Sequence, residues 1–130
     1  MRGQLSLGRS AQEIDYHTGC MLISDMVVFD EIQKKFLRRE YEFSKHAVDM
    51  VVSRGINVAE VEEAMATQGE IIEDYPNDKY GSSCLILCFT NAGRPIHLQC
   101  SYASRPIVKV ITLYEPDSNL WTNFRTRKPE

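Results

Sequence analysis

Apolar positions change their period twice along this chain. Between Met26 and Arg39 they fall at Val28, Phe29, Ile32, Phe36 and Leu37, the spacing of one face of an amphipathic helix. Lys34, Lys35, Arg38 and Arg39 gather at its C-terminal end, where the helix dipole favours cations. A second helix starts at Ser44, a good N-cap, and runs through His46, Ala47, Met50 and Val51. It stops at Arg54-Gly55, where glycine can take the left-handed cap. A third opens at Asn57, with Glu60 placed for a capping box, and Val58, Val61, Ala64 and Met65 forming its inner face. Gly69 closes it.

From there the period shortens to two. Glu70 to Tyr75 reads as a strand ended by the turn residues Pro76-Asn77-Asp78. Ser83 to Thr90 is almost wholly apolar, as a central strand is, and Asn91-Ala92-Gly93 is hairpin chemistry. Pro95 to Tyr102 alternates, with Ile96, Leu98 and Cys100 on one side and His97, Gln99 and Ser101 on the other. Ile107 to Tyr114 is β-branched and ends at Glu115-Pro116. The period then lengthens again: Asp117 or Ser118 caps a short last helix carrying Leu120, Trp121 and Phe124. The expected fold class is α+β: N-terminal helices packed on one face of a four-stranded antiparallel sheet, followed by a short C-terminal helix. The other sheet face, with His97, Gln99 and Ser101, is expected to be open to solvent or ligand.

Residues 1–25 show no such period and read as an N-terminal extension, with one domain over 26–130. They hold no signal-peptide pattern, and no apolar run reaches the ~18 residues that a membrane helix needs. Composition is that of an ordinary globular chain, 43% apolar and 25% charged. The net charge of −3 is unlike that of a strongly basic nucleic-acid binder. That total hides an uneven spread. Residues 55–80 set Lys79 against Glu60, Glu62, Glu63, Glu70, Glu73, Asp74 and Asp78, while the stretch from 81 onward is basic. The imbalance could present a local positive surface, and a solvated helix face followed by ordinary strand edges is the blander account.

Cys20, Cys84, Cys88 and Cys100 include no Cys-x-x-Cys pair and no zinc-ligand spacing. Three of them share a strand face, and buried thiols acting as small hydrophobes are the plainer account. Without disulfide spacing the chain reads as cytoplasmic, with no metal and no cofactor expected.

Ser44-Lys45-His46-Ala47 followed by Arg54-Gly55-Ile56 resembles a Ser-x-His-Ala…Arg-Gly-Ile helix signature. Then come Ile71-Ile72-Glu73-Asp74-Tyr75, Ser83-Cys84-Leu85, Gly93-Arg94-Pro95-Ile96-His97, Ile111-Thr112-Leu113-Tyr114-Glu115-Pro116-Asp117 and Trp121…Arg127-Lys128. In that order, over about residues 28–128, these are similar to the bacterial domain-of-unknown-function family four-two-five-eight. Two departures stand out: Met50 occupies a place where the signature carries a further Arg, and the first 20 or so residues have no counterpart. The family looks related to the RelE-like ribonuclease toxins, whose genes often neighbour MqsA-type zinc-finger antitoxins. The resemblance therefore implies a RelE-like domain that is the toxin of a type II toxin–antitoxin pair, cutting mRNA without a metal. Its partners would be RNA and an antitoxin protein of the zinc-finger type, with no membrane. The alternative is a non-catalytic protein-interaction module of the same fold.

Metal-free RNA cleavage needs a base for the 2′-hydroxyl, an acid for the leaving 5′-oxygen and a cation for the phosphorane. His97 titrates near neutrality and lies on the polar side of its strand; a structural, hydrogen-bonded histidine is the alternative. Tyr114 ends the last strand as a proton-transfer or stacking group, or as a packing residue. Thr112 shares its parity. His46 and Arg54 lie roughly on one helical face and could reach a phosphate together, or Arg54 could pair with a carboxylate such as Glu40 or Glu42. Arg94, Arg105 and Lys109 are cations on the strand side, each also readable as a solvated charge. Tyr80 and Tyr102 are stackers or packing residues, Trp121 reads as the core anchor of the tail helix, and His17 falls in the unmatched leader. The catalytic candidates are thus His97, Tyr114 and His46, and the substrate-binding candidates Arg54, Arg94, Lys109 and Thr112.

Overall fold

The computed structural model describes residues 22–78 and 81–129. Residues 1–21 of the expected extension, with His17 and Cys20, lie outside the described residues, as do Lys79 and Tyr80.

Helix α1 (Ile23–Leu37) buries Phe29, Ile32 and Phe36. Helix α2 (Lys45–Arg54) is capped by the Ser44 hydroxyl, which accepts from the Ala47 N–H, and ends at Gly55 with φ +64°. Helix α3 (Val58–Thr67) starts in a full Asn57/Glu60 capping box. Each cap satisfies backbone N–H groups that a helix start otherwise leaves unpaired.

Five strands follow or interleave: β1 (Tyr41–Phe43), β2 (Gly69–Tyr75), β3 (Ser83–Phe89), β4 (Pro95–Ser101) and β5 (Val108–Tyr114). A glycine opens β2 because a Cβ there would sit 2.8 Å from the Phe29 ring. β2 to β5 run antiparallel in sequence, while β1 pairs parallel with β5, giving the order β1-β5-β4-β3-β2. The helices cover one face, where Ile86, Ile96, Leu98, Cys100, Val110 and Leu113 join the buried helix residues in one apolar core.

The expected four-stranded antiparallel sheet is therefore corrected to a five-stranded mixed one. β1 is three residues long, too short to show alternation. Its strand geometry comes from distant pairing: the Val108 N–H donates to the Glu40 carbonyl and the Ser44 N–H to the Val110 carbonyl. Tyr41 also stacks on Phe36 with centroids 4.6 Å apart.

The expected C-terminal helix is corrected too. Asp117 does cap one turn, through its side chain to Asn119 N–H and its carbonyl to Leu120 and Trp121 N–H. The chain then extends into β6 (Trp121–Thr122) and returns as β7 (Thr126–Arg127), a separate two-stranded sheet. Asn123 (φ 53°) and Phe124 (φ 63°) are both left-handed, and the Arg125 N–H closes the turn on the Thr122 carbonyl. Two successive left-handed residues close a tight turn within a three-residue loop and end any helix.

Candidate functional site

Alternation on β4 turns His97, Gln99 and Ser101 away from the helices, and cross-strand register sets Tyr114 opposite His97 and Thr112 opposite Gln99. Alternation from Ile71 turns Ile72 to this outer face, where it packs with Leu85, Leu87 and Trp121, and a bulge between Ile71 and Glu73 sets Glu73 opposite Leu85 on the same face. The β6–β7 hairpin lies across that apolar patch. Arg125 reaches Glu70 at 2.6 Å, and Arg127 holds Glu73 at 2.9 Å while lying 4.6 Å over the Trp121 ring.

His97 is consequently fully buried, not open to solvent. Trp121 meets its ring edge-on at 4.4 Å. Its Nε2 lies 2.6 Å from the Phe124 carbonyl, an acceptor only, so Nε2 carries the proton and donates. Nδ1 is left as an acceptor 3.3 Å from the Tyr114 hydroxyl. Burial holds the imidazole below its ordinary pKa, against the Phe124 bond and the Glu73 charge, which pull it up. Tyr114 is half-buried, and desolvation raises its phenol, so it keeps a proton to give to Nδ1. The pair forms a chain from Tyr114 Oη through His97 to a backbone carbonyl. A fixed acceptor behind a hydroxyl is the arrangement that makes the hydroxyl a proton-transfer group.

The other candidate residues lie apart from this pair. His46 and Arg54 are exposed on α2, which packs on the helix side of β5, so the sheet separates them from His97. Met50 packs partly against the same helix-side core. Arg94 is occupied structurally. It holds Glu115 at 2.8 Å and Glu60 at 3.3 Å, and donates to the carbonyls of Gly55 and Arg54, each at 3.1 Å. Its bond to Glu115, with the Glu60 and Glu115 charges, raises its pKa further. Lys109 pairs with Glu42 across β1 and β5 at 3.6 Å. Thr112 is half-buried beside Gln99. Trp121 is a buried anchor, of a hairpin and not a helix.

Phe124, Arg127 and Gln99 complete the surroundings of the pair, and none of them was among the expected site residues. Phe124 acts through its carbonyl, which no side-chain pattern reveals; Arg127 stood in the quoted tail motif. Cys84, Cys88 and Cys100 are buried free thiols in the helix-side core. Burial pushes Cys88 up to about 12, and a hydrogen bond from the Cys100 thiol to Cys84 together with burial raises Cys100. Among the described residues no group of three or more His, Cys, Asp or Glu could hold a metal ion, and no helix is long and apolar enough to cross a membrane.

The elements define an α+β protein with helices on one sheet face and, on the other, a buried histidine paired with a half-buried tyrosine beneath a hairpin. Residues 43–115 match the family described as Domain of unknown function (DUF4258), more than half of the chain, and the chain belongs to that family. No curated protein and no solved structure matches it.

Proposed function

We propose that the chain is a metal-independent endoribonuclease toxin acting on mRNA in the cytoplasm, and that Tyr114, not His97, meets the substrate. The observation that carries this is the tautomer of His97: Nε2 donates to the Phe124 carbonyl, so Nδ1 stands ready to accept from Tyr114. The similarity of the helix signature and strand motifs to a family related to RelE-like toxins adds to it. In the proposed step the 2′-hydroxyl gives its proton to Tyr114 Oη as the phenolic proton passes to His97 Nδ1. The 2′-oxygen attacks phosphorus and the P–O5′ bond breaks. The 5′-oxygen leaves with a proton from water, and a 2′,3′-cyclic phosphate remains. Tyr114 is then the catalytic residue and His97 its positioning residue. Arg127 supplies the cation, once phosphate competes with Glu73 for it. A protein antitoxin of the zinc-finger type is the proposed partner.

A second reading, a non-catalytic protein-interaction module, is favoured by one observation. Glu70 and Glu73 already neutralise Arg125 and Arg127, so the outer face offers phosphate little free positive charge.

The test is RNA digestion across pH 6–8, with and without Mg²⁺. Wild type should leave cyclic phosphate ends. Tyr114→Phe should slow cleavage about 10²–10⁴-fold while remaining folded. His97→Gln should remove the acid limb of the rate profile, which a merely structural histidine would not. His46→Ala should leave the rate unchanged. RNA left intact by the folded wild type at every pH would give the chain to the interaction module.

A further inference from the structure

The outer face has a concave region beside the hairpin. It is an open cleft of about 560 Å³, lined by Tyr75, Asp74, Asp78, Gln99 and Arg127 among others. Ligand pockets run from about 300 to 1,000 Å³, and this volume lies in that range. Its polar groups are ordered by a buried serine. The Ser83 hydroxyl gives its one proton to Asp78 Oδ2 at 3.2 Å, so it can only accept from Gln99. That sets Gln99 Nε2 toward Ser83 at 3.1 Å and fixes Oε1 as the acceptor Gln99 offers a ligand. The Tyr75 ring is fixed through its hydroxyl, which donates to Glu73.

We infer that this cleft binds a guanine base and sets the cleavage specificity of the site at Tyr114. Besides Arg127 and the Asn77 amide, its polar lining is rich in acceptors: the Gln99 amide oxygen and the carboxylates of Asp74, which also accepts from the Tyr102 hydroxyl, and Asp78. Among the four bases only guanine presents two adjacent donors, N1–H and N2–H₂, on its Watson–Crick edge. Adenine and cytosine present one donor beside an acceptor, and uracil one donor between two acceptors. Tyr75 supplies a face for stacking, which is sequence-tolerant and adds grip without choice. Gln99 and His97 are two positions apart on one face of β4, about 7 Å, a distance a ribose spans. Arg127 lines the cleft, and it lies over the Trp121 ring that packs on His97, so the cleft adjoins the reacting pair.

This assignment rests on the RNA-cleaving reading, and binding separates the two. The full-length chain is titrated calorimetrically with the 3′-monophosphates of guanosine, adenosine, cytidine and uridine, and RNA digestion is run in parallel. Guanosine 3′-monophosphate should bind at least about tenfold tighter than the others. Gln99→Met should erase that preference by about 5–150-fold, the span of one good base-edge contact. Tyr75→Ala should weaken all four nucleotides alike, and Tyr75→Phe, which keeps the ring and loses only the bond to Glu73, should weaken them less. Should Gln99→Met fail to fold, the four-way comparison on wild type decides alone. Equal affinities, or no binding by the folded protein, overturn the inference. A guanine preference with RNA left intact keeps the cleft and removes cleavage. Cleavage without base preference keeps cleavage and removes the cleft.

Discussion

The helix side of the sheet is closed by three helices and holds a continuous apolar core, from Phe29 and Ile32 through Leu98 to Leu113. The outer side is closed over only part of its area, by a hairpin of a few residues resting on Ile72, Leu85, Leu87 and Trp121. On the first side, polar groups such as the Ser44 hydroxyl are spent on caps and backbone carbonyls. On the second, a histidine, a tyrosine, two arginines and two glutamates are packed together with Trp121. One face carries stability through area. The other carries a small apolar patch whose work is to hold polar groups in fixed relation, the division expected where function and folding share one sheet.

Cavity formation tests that contrast with the largest effects. Leu98→Ala should cost about 2–5 kcal/mol in chemical denaturation without altering the Tyr114–His97 pair, and Trp121→Ala about 3–5 kcal/mol while opening His97 to solvent. If Trp121→Ala cost less than about 0.5 kcal/mol, the hairpin would be an appendage and the two faces would not be comparable layers.

Acid comes next. Burial keeps His97 neutral in the folded chain where the unfolded chain takes up a proton, at about 6.5. Its folded pKa is the lower one, so its contribution is complete above 6.5 and lost as pH falls through that value. The slope is at most about 1.4 kcal/mol per pH unit, and His97→Gln should flatten it between pH 5 and 6.5. A slope that survives the substitution would assign it elsewhere.

The smallest effect is that of the ion pairs pinning the hairpin. Glu70→Gln should cost about 0.2–1 kcal/mol, shrinking as salt is added. A larger, salt-insensitive loss would show that the outer face depends on charge more than on Trp121.

What could be read in the sequence follows the same division. Ser44, Asn57 and Glu60 announce two helix starts because capping is local chemistry, and the alternation from Pro95 to Ser101 assigns His97 to the side away from the helices. β1 escaped because its evidence is a partner strand far along the chain. The hairpin escaped because Leu120, Trp121 and Phe124 have helical spacing, while the left-handed backbone at Asn123 and Phe124 carries no strong residue signal. The burial of His97 escaped with it, since its cover is the misread segment. His97 and Tyr114 were each legible as proton-transfer candidates, but neither their pairing across two strands nor the carbonyl that orients the imidazole was.

The parallel pairing of β1 with β5 bears on how the chain is made. Ser44 bonds to Ile111, 67 positions on, so the N-terminal third stays without its sheet partner until β5 has been synthesised. The β2–β4 meander can form first from near neighbours, whereas the β1 edge waits on a loop of that length to close. Such non-local pairing slows folding. The chain leaving the ribosome therefore carries an undocked β1 and α2 through most of translation, and both settle on the sheet only after β5 clears the exit.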